Sequence, residues 1–188
     1  MEIAKQDRRI RKTKKALREG LAKLLSEKNI QNITVKELTD KADIHRSTFY
    51  ANFHDIYDLY SHMEDTVIQE IKDIASVDFA FKTKIFFEKL LNYINDNKQV
   101  ARLFFKQNIS FSEQLTTLLR DACLDCWRKE YNIQSTPEEM DYYVQHALSG
   151  AIGIIGMWVS DDFKYPMEKL VVMLADIDSN FGKFISMV

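Results

Sequence analysis

The segment from Thr34 to Leu59 most constrains the fold, because it predicts two very short helices joined by a tight turn. Thr34 and Glu37 have the spacing of a capping box, which opens the first helix. The second helix spans about Arg46 to Asn52. An isolated helix of fewer than roughly 12 to 15 residues is marginal in water. Neighbouring helices must therefore hold this one, and its outer face is free to contact a partner.

The second short helix has a buried face and an outward face. Phe49 and Phe53, one turn apart, are predicted to face the supporting helices. The side chains predicted to project away are small or polar: Ser47, Tyr50, Ala51 and His54. This is the layout of a helix-turn-helix, in which the second helix enters the major groove of DNA.

The residues of this segment also carry a family resemblance. They are Thr34, Val35, Leu38, Thr39, Ala42, Ile44, Thr48, Phe49, Tyr50, Phe53 and Leu59, with Thr13, Lys14, Ala16 and Leu17 upstream. Over about residues 9 to 65 the chain resembles the DNA-binding domain of the TetR/AcrR family of bacterial transcriptional regulators. One departure is Ile56, where many members have a lysine that starts the fourth helix close to a phosphate. Asp55 is expected to cap that helix instead.

The resemblance implies DNA contacts for particular side chains. Thr34 and Tyr50 match positions that hold phosphate oxygens, whereas Lys36, Arg46, Ser47, Ala51 and Asn52 match positions that face base edges or the groove floor. The chemistry agrees, since arginine can bind guanine in a bidentate manner and asparagine suits adenine. The pattern does not separate base-reading residues from those that position the backbone. The expected DNA-binding residues are Thr34, Lys36, Arg46, Ser47, Thr48, Tyr50, Ala51, Asn52 and His54.

The charge distribution favours a polyanionic partner although the net charge is −2. Residues 1–60 contain 13 Lys/Arg against 9 Asp/Glu, and residues 61–188 contain 13 against 19. A basic end on an acidic body orients a molecule towards DNA. The alternative is a solvated basic tail without a partner. The basic residues concentrate near the start: Lys5, Arg8, Arg9, Arg11, Lys12, Lys14, Lys15 and Arg18.

The low content of glycine and proline, 5 and 2 residues, favours long helices over a β fold. We predict an all-α fold of about nine helices, with a helix-turn-helix domain at 1–54 and a larger helical domain at 55–188. A second capping box, Thr136 to Glu139, opens a long helix that reaches about Ser160. The remaining predicted helices span 8–28, 34–42, 46–52, 55–75, 82–96, 98–107, 111–130 and 166–185, with breaks at Asn97 and Asn108.

Several function classes are disfavoured by the sequence. The longest apolar run, residues 147–159, is too short for a membrane span. The charged N-terminus does not resemble a secretory signal, so we expect a cytoplasmic protein. No glycine-rich phosphate loop or nucleophile with a histidine partner is evident, which indicates a non-enzyme without a cofactor.

Cys123 and Cys126 form a CxxC pair inside a predicted helix. The pair is either a redox switch, half of a zinc site or two reduced, partly buried cysteines. A structural zinc site needs about four ligands, and the sequence has no second cysteine pair. Reduced cysteines are therefore the preferred interpretation, and no metal is expected.

Ten of the twelve phenylalanines lie at or after residue 79. They are either plain core or, as the resemblance implies, partly the wall of a pocket for an apolar or aromatic effector between the helices. The candidate pocket residues are Phe87, Phe104, Trp127 and Tyr143.

Gly150, Gly153 and Gly156 recur every third residue in a predicted helix, where each costs roughly 1 kcal/mol relative to alanine. Close approach of another helix explains such a cost, either within one subunit or between two. The resemblance places the last two helices in a four-helix dimer interface. The candidate interface residues are Gly150, Gly153, Ile154 and Met157.

These observations lead us to expect a homodimeric transcriptional regulator that binds a double-stranded DNA operator. The resemblance implies a repressor that a small apolar or aromatic effector releases, and we expect no membrane contact. The alternatives are a co-regulator of the same fold that acts through a protein partner, and a CxxC redox sensor.

Overall fold

The computed structural model describes the backbone of residues 2–78, 83–107, 109–131 and 135–187, and the side chains of residues 10–76, 83–105, 111–131 and 135–187. Over these ranges all the regular structure is helical, which confirms the all-α prediction. The α-helices are α1 (Glu2–Glu27), α2 (Val35–Ala42), α3 (Arg46–Tyr50), α4 (Ile56–Asp78), α5 (Thr83–Asp96), α6 (Lys98–Gln107), α7 (Ile109–Glu130), α8 (Pro137–Ser160) and α9 (Met167–Ile185).

The predicted helices agree with these bounds to within three residues except at the start of the chain. Helix α1 begins at Glu2 rather than at residue 8, and a 3-10 turn at Ile30–Asn32 lies in the predicted connection. The predicted break at Asn97 separates α5 from α6, whereas Asn108 lies outside the described residues. At the start of α8 the capping box is complete: Thr136 Oγ1 accepts a hydrogen bond from the Glu139 N–H at 3.3 Å, and the Glu139 carboxylate accepts one from the Thr136 N–H at 2.7 Å.

The chain forms two compact units, Met1–Val67 and Ile68–Val188, and the division falls within α4. The first unit is built around fully buried side chains of α1 to α4: Leu17, Leu21, Leu38, Phe49, Leu59 and Met63. Helices α1 and α2 approach closely at Gly20, where an added Cβ would lie 3.2 Å from Leu38 Cδ1 and 3.4 Å from Ala42 Cβ. This contact fixes α2 and thereby supports the short α3.

The second unit packs α5 against α9, α7 against α8 and α6 against α8. Its core is aromatic: Phe104 stacks on Phe111 with ring centroids 4.8 Å apart, and Trp127 is fully buried. At Gly182 of α9 an added Cβ would overlap the Tyr131 ring, so the ring lies directly on the helix backbone. Helices of the described part of the chain are too short or too polar to cross a membrane.

Candidate nucleic-acid interface

Helix α2 begins with half of the predicted capping box. Thr34 Oγ1 accepts a hydrogen bond from the Glu37 N–H at 3.2 Å. The predicted return bond from Glu37 is wrong, because its carboxylate instead accepts from Lys28 Nζ, 2.6 Å from both oxygens. A charged ammonium competes better for a carboxylate than a backbone N–H does. The exposed Thr34 hydroxyl keeps its own hydrogen for another acceptor.

The turn between α2 and α3 is closed by the backbone. Asp43 has a left-handed conformation with φ of 54°, and the Ile44 N–H donates to the Thr39 carbonyl at 3.0 Å. The buried Thr39 hydroxyl donates back to the Val35 carbonyl at 2.8 Å. These bonds end α2 after Ala42 and direct the chain into α3 within three residues.

Helix α3 is divided into two faces as predicted. Phe49 is fully buried, and its ring contacts the rings of Tyr50 and Phe53 at centroid distances of 5.4 and 5.9 Å. Tyr50 is 59% exposed in spite of this contact. The other predicted DNA-binding residues that are exposed are Thr34, Lys36, Arg46, Ser47, Ala51 and His54.

Thr48 and Asn52 differ from these residues because both are half-buried. The Asn52 Nδ2 donates a hydrogen bond to the Thr48 carbonyl at 2.8 Å. Asn52 therefore uses one of its two amide hydrogens on a carbonyl of α3, and bidentate reading of adenine would have to share or break this bond.

The start of α4 explains the departure at position 56. Ile56 is 5% exposed and belongs to the core, so its side chain does not face solvent. Asp55 Oδ1 accepts from the Asp58 N–H at 2.8 Å, which is the expected cap. The Asp58 carboxylate in turn accepts from the His54 N–H at 2.8 Å. Two carboxylates thus hold the connection that follows α3.

The basic residues of α1 divide into inward and outward side chains. Lys14 is half-buried, with Nζ 3.4 Å from His62 Nε2 and 5.8 Å from the centroid of the Phe53 ring. Arg11, Lys12 and Lys15 are exposed. Most of the described basic cluster of α1 therefore remains available to a polyanion.

The CxxC pair lies within α7. Cys123 and Cys126 are free and each is 1% exposed. Burial raises the pKa of the Cys123 thiol, and burial with the nearby Glu130 and Asp178 carboxylates raises the pKa of Cys126 to about 12. A neutral, buried thiol is a poor nucleophile and a poor metal ligand. Among the described residues no three histidine, cysteine or carboxylate side chains are grouped as a metal site.

Three of the four candidate pocket residues gather around Phe181 of α9. Its ring lies 5.7 Å from Trp127 and 6.0 Å from Tyr143, and it shares a cavity with Phe87. Phe104 is placed elsewhere, stacked on Phe111. The cavity has a volume of about 90 Å³ and lies between α5, α8 and α9, lined by Phe87, His146, Gly150, Leu174, Asp178 and Phe181 among others.

Asp178 is a feature of this cavity that the sequence patterns did not identify. The pKa of Asp178 is raised to about 6, chiefly because burial penalises the charged form. Nearby Thr83 and Trp127 oppose the shift, and the Glu130 charge adds to it. The Trp127 indole N–H is close enough to favour the carboxylate, yet it is buried without a hydrogen bond of acceptable geometry to a described residue. The sequence did contain a signal for this residue, because the acidic position 178 lies in the apolar stripe of α9 with Leu174, Phe181 and Ile185.

The glycines of α8 are not alike. An added Cβ at Gly150 or Gly153 would meet no atom within 4 Å, whereas at Gly156 it would lie 3.3 Å from Phe105 Cδ1. A close contact within the described part of one subunit therefore accounts for Gly156 alone. Ile154 is half-buried and Met157 is 67% exposed. A groove of about 670 Å³ runs beside them, lined by Met157, Trp158, Tyr165, Leu170 and Met173 among others.

Comparison with known proteins gives the relatives of this chain. A TetR family model described as "Transcriptional regulator C-terminal region" matches residues 82–179, which is more than half of the chain. An uncharacterized HTH-type transcriptional regulator, YxbF of Bacillus subtilis (strain 168), is 22% identical over 167 residues, and the match covers 78% of this chain but 39% of that protein. The chain thus spans about two fifths of the length of that relative.

Two solved structures share the fold. The dihydroxyacetone kinase operon activator DhaS aligns with a TM-score of 0.69 and 16% identity over 93% of this chain and 98% of its own. The fatty acid degradation regulator FadR from Bacillus halodurans aligns with a TM-score of 0.66 and 17% identity over 88% of this chain and 94% of its own. These likenesses show the fold, and the match of the family model over more than half of the chain shows that the chain belongs to the TetR family of transcriptional regulators.

Proposed function

We propose that this regulator binds double-stranded operator DNA in a sequence-specific manner through the outer face of α3. The observation that carries the proposal is the division of this helix. Phe49 is fully buried while Arg46, Ser47 and the 59% exposed Tyr50 face outwards. The lysines and arginines on the exposed surface of α1 add attraction for phosphates that does not depend on sequence.

The exposed side chains divide into two chemical groups. Thr34 and Tyr50 offer hydroxyls to phosphate oxygens, and the Thr34 hydroxyl can donate while its oxygen caps α2. Arg46 and Lys36 suit guanine edges, and Ser47 and Ala51 are small enough to allow the helix close to the groove floor. Thr48, Asn52 and His54 complete the proposed surface at its margin.

We further propose that the chain acts as a homodimer. Gly150 and Gly153 leave open space on α8, and the neighbouring Met157 exposes 67% of its surface. A second copy of the α8–α9 face would cover these groups together with Ile154. The two copies of α3, about 34 Å apart, would then match a symmetric operator.

The proposed regulatory step is release by a small effector bound in the helical region at 55–188. A ligand lowers operator affinity only if it binds more tightly to the conformation that binds DNA less well. Repression follows from the family resemblance, and the DhaS structure carries the name of an activator. Expression of a reporter gene behind the operator, measured with and without the regulator, shows whether the protein represses or activates transcription.

DNA binding is tested by mixing the purified protein with its own upstream DNA at several salt concentrations. A regulator that contacts phosphates should lose affinity steeply as salt rises. Selection of sites from random DNA should return a symmetric sequence. If neither the upstream DNA nor a genomic pool is bound at low salt, the proposed DNA-binding function is wrong.

A second candidate is a co-regulator that acts through a protein partner. The start of α4 favours it, because the buried Ile56 removes one basic contact and Asp55 and Asp58 place two carboxylates beside α3. Binding of a protein partner without any binding of the upstream DNA at low salt would select this candidate.

A further inference from the structure

The apolar stripe of α9 is interrupted by a carboxylate. Leu174 and Ile185 are 2% and 0% exposed, and the half-buried Asp178 lies between them in the same stripe. Such a position normally holds an apolar side chain, because burying a carboxylate costs free energy unless a partner compensates. The presence of a carboxylate at this position of the stripe therefore requires a physical reason.

The described groups that favour the charged form of Asp178 are themselves neutral. Thr83 and Trp127 favour its charged form, whereas Cys123, Cys126 and Glu130 of α7 are neutral or of like charge. No described lysine or arginine forms an ion pair with this carboxylate. Among the described residues, this carboxylate therefore has no cationic partner.

The cavity next to Asp178 has the form of a receptor for a small organic cation. Its walls are apolar apart from Asp178 and the exposed His146. Phe181 and Phe87 present aromatic rings, and the His146 ring lies 5.2 Å from that of Phe181. Aromatic faces attract cations, and they do so more strongly where water is excluded. A carboxylate and aromatic rings around one cavity thus favour a cation with apolar substituents.

We propose that the cavity between α5, α8 and α9 binds a small lipophilic amine in its ammonium form, with Asp178 as the counter-ion. The apolar substituents of the amine lie against Phe87, Leu174 and Phe181. This inference rests on the proposed release of the regulator by an effector, for which it names the chemical class.

The size of the cavity limits the amine. A volume of about 90 Å³ equals roughly three water molecules at about 30 Å³ each. A butyl-sized amine fills it, and a longer amine exceeds it. The ammonium group would lie beside Asp178.

The test titrates the full chain with isobutylamine, isobutanol and isobutyrate, which share one carbon skeleton and differ in charge. Binding is followed by chemical-shift perturbation, with the Trp127 indole as a reporter near the carboxylate. We expect isobutylamine to bind at least tenfold more tightly than isobutanol and isobutyrate to bind least. Asp178→Asn should remove the preference for the amine while isobutanol binding stays within about twofold.

Two further variants locate the site. Asp176→Asn removes an exposed carboxylate from the same helix and should keep the amine preference. Ala151→Leu adds volume to the lining and should weaken all three probes at least fivefold. Equal affinity for amine and alcohol, an amine preference that survives Asp178→Asn, or no binding of any probe would overturn the proposal. Because these titrations contain no DNA, their failure is distinct from a failure of operator binding.

Discussion

The ammonium of Lys28 lies 2.6 Å from both carboxylate oxygens of Glu37 and joins the segment after α1 to the first turn of α2. These hydrogen bonds are the main reason why the pKa of Glu37 is lowered from its ordinary value. The contact tethers the helix that carries Thr34 and Lys36. It thus acts on the proposed DNA-binding surface without belonging to it.

The lowered pKa of Glu37 predicts how the first unit responds to acid. A carboxyl group with a lowered pKa stabilises the fold above its unfolded pKa, and the effect is lost as pH falls through the folded value. We expect Glu37→Gln to reduce amide protection in α2 at neutral pH but to make little difference at strongly acidic pH, as measured by hydrogen exchange. An equal effect of the substitution at both pH values would contradict this role.

Substitutions on the outer face of α3 are expected to weaken DNA binding in two different ways. Arg46→Ala should cost about 1 to 3 kcal/mol of operator binding and relax the preference at one base pair, because it removes a base contact. Tyr50→Ala should weaken all sequences by a similar factor, since its hydroxyl is assigned to phosphate. Both are measured by fluorescence anisotropy on selected and single-mismatch sites.

The control for this pair is Arg128→Ala, which removes one exposed positive charge from α7. It should leave the sequence preference unchanged. If Arg46→Ala keeps the full preference of the wild type, the assignment of Arg46 to a base pair is wrong.

The close approach of the Tyr131 ring to Gly182 predicts that a larger residue at position 182 disturbs the packing. A Cβ on Gly182 would overlap the Tyr131 ring, so Gly182→Ala should destabilise the second unit by about 1 to 3 kcal/mol. In a Tyr131→Ala background the same change should cost far less, because the obstacle is gone. A double-mutant cycle in urea measures the difference, and additive effects would exclude this contact as the cause.

The exposed apolar groups of α8 predict that dimer formation depends on Met157. Met157→Asp should shift the protein towards monomers and lower operator affinity, because a charge would be buried in the proposed interface. Gln114→Asp, which adds the same group to an exposed position of α7, should leave the dimer intact. Light scattering after gel filtration gives the mass, and a Met157→Asp dimer of wild-type stability would contradict the proposed interface.

The raised pKa of Asp178 predicts a loss of stability between about pH 4 and 6. In this window the folded state holds a proton that the unfolded state has released, so the free energy of unfolding falls as pH rises. A shift from 3.8 to about 6 corresponds to an upper limit of about 3 kcal/mol, at roughly 1.4 kcal/mol per unit.

Asp178→Asn should therefore stabilise the second unit at pH 7 and flatten its profile from pH 4 to 6. Urea unfolding of wild type and variant at each pH gives the comparison. A variant whose pH profile equals that of wild type would show that another group titrates in this range.

The helices were predictable because their signals are local. Thr136, Pro137 and Glu139 mark the start of α8, and the apolar period of each segment sets its buried face. The start of α1 at Glu2 was missed because residues 2–9 are mostly polar and have little apolar period to mark a helix. The exposed face of α3 followed from the position of Phe49 alone.

The partners of charged groups were not predictable in the same way. Glu37 was expected to bond to its own helix, yet Lys28 competes more strongly from across the connection. Asp178 could be placed in an apolar stripe, but its partial burial depends on Phe87, Trp127 and Phe181, which come from three different helices. Such contacts join residues far apart in the chain, and no local pattern records them.

The amino-acid sequence alone thus determined the all-α fold, the helix-turn-helix and the side chains that α3 presents, because capping and apolar periodicity act within one or two turns. The tertiary structure decided which glycines of α8 are open, that Ile56 is buried and that Asp178 lines a largely apolar cavity. Burial and electrostatic pairing depend on the three-dimensional neighbours of a residue, and packing alone brings those neighbours together.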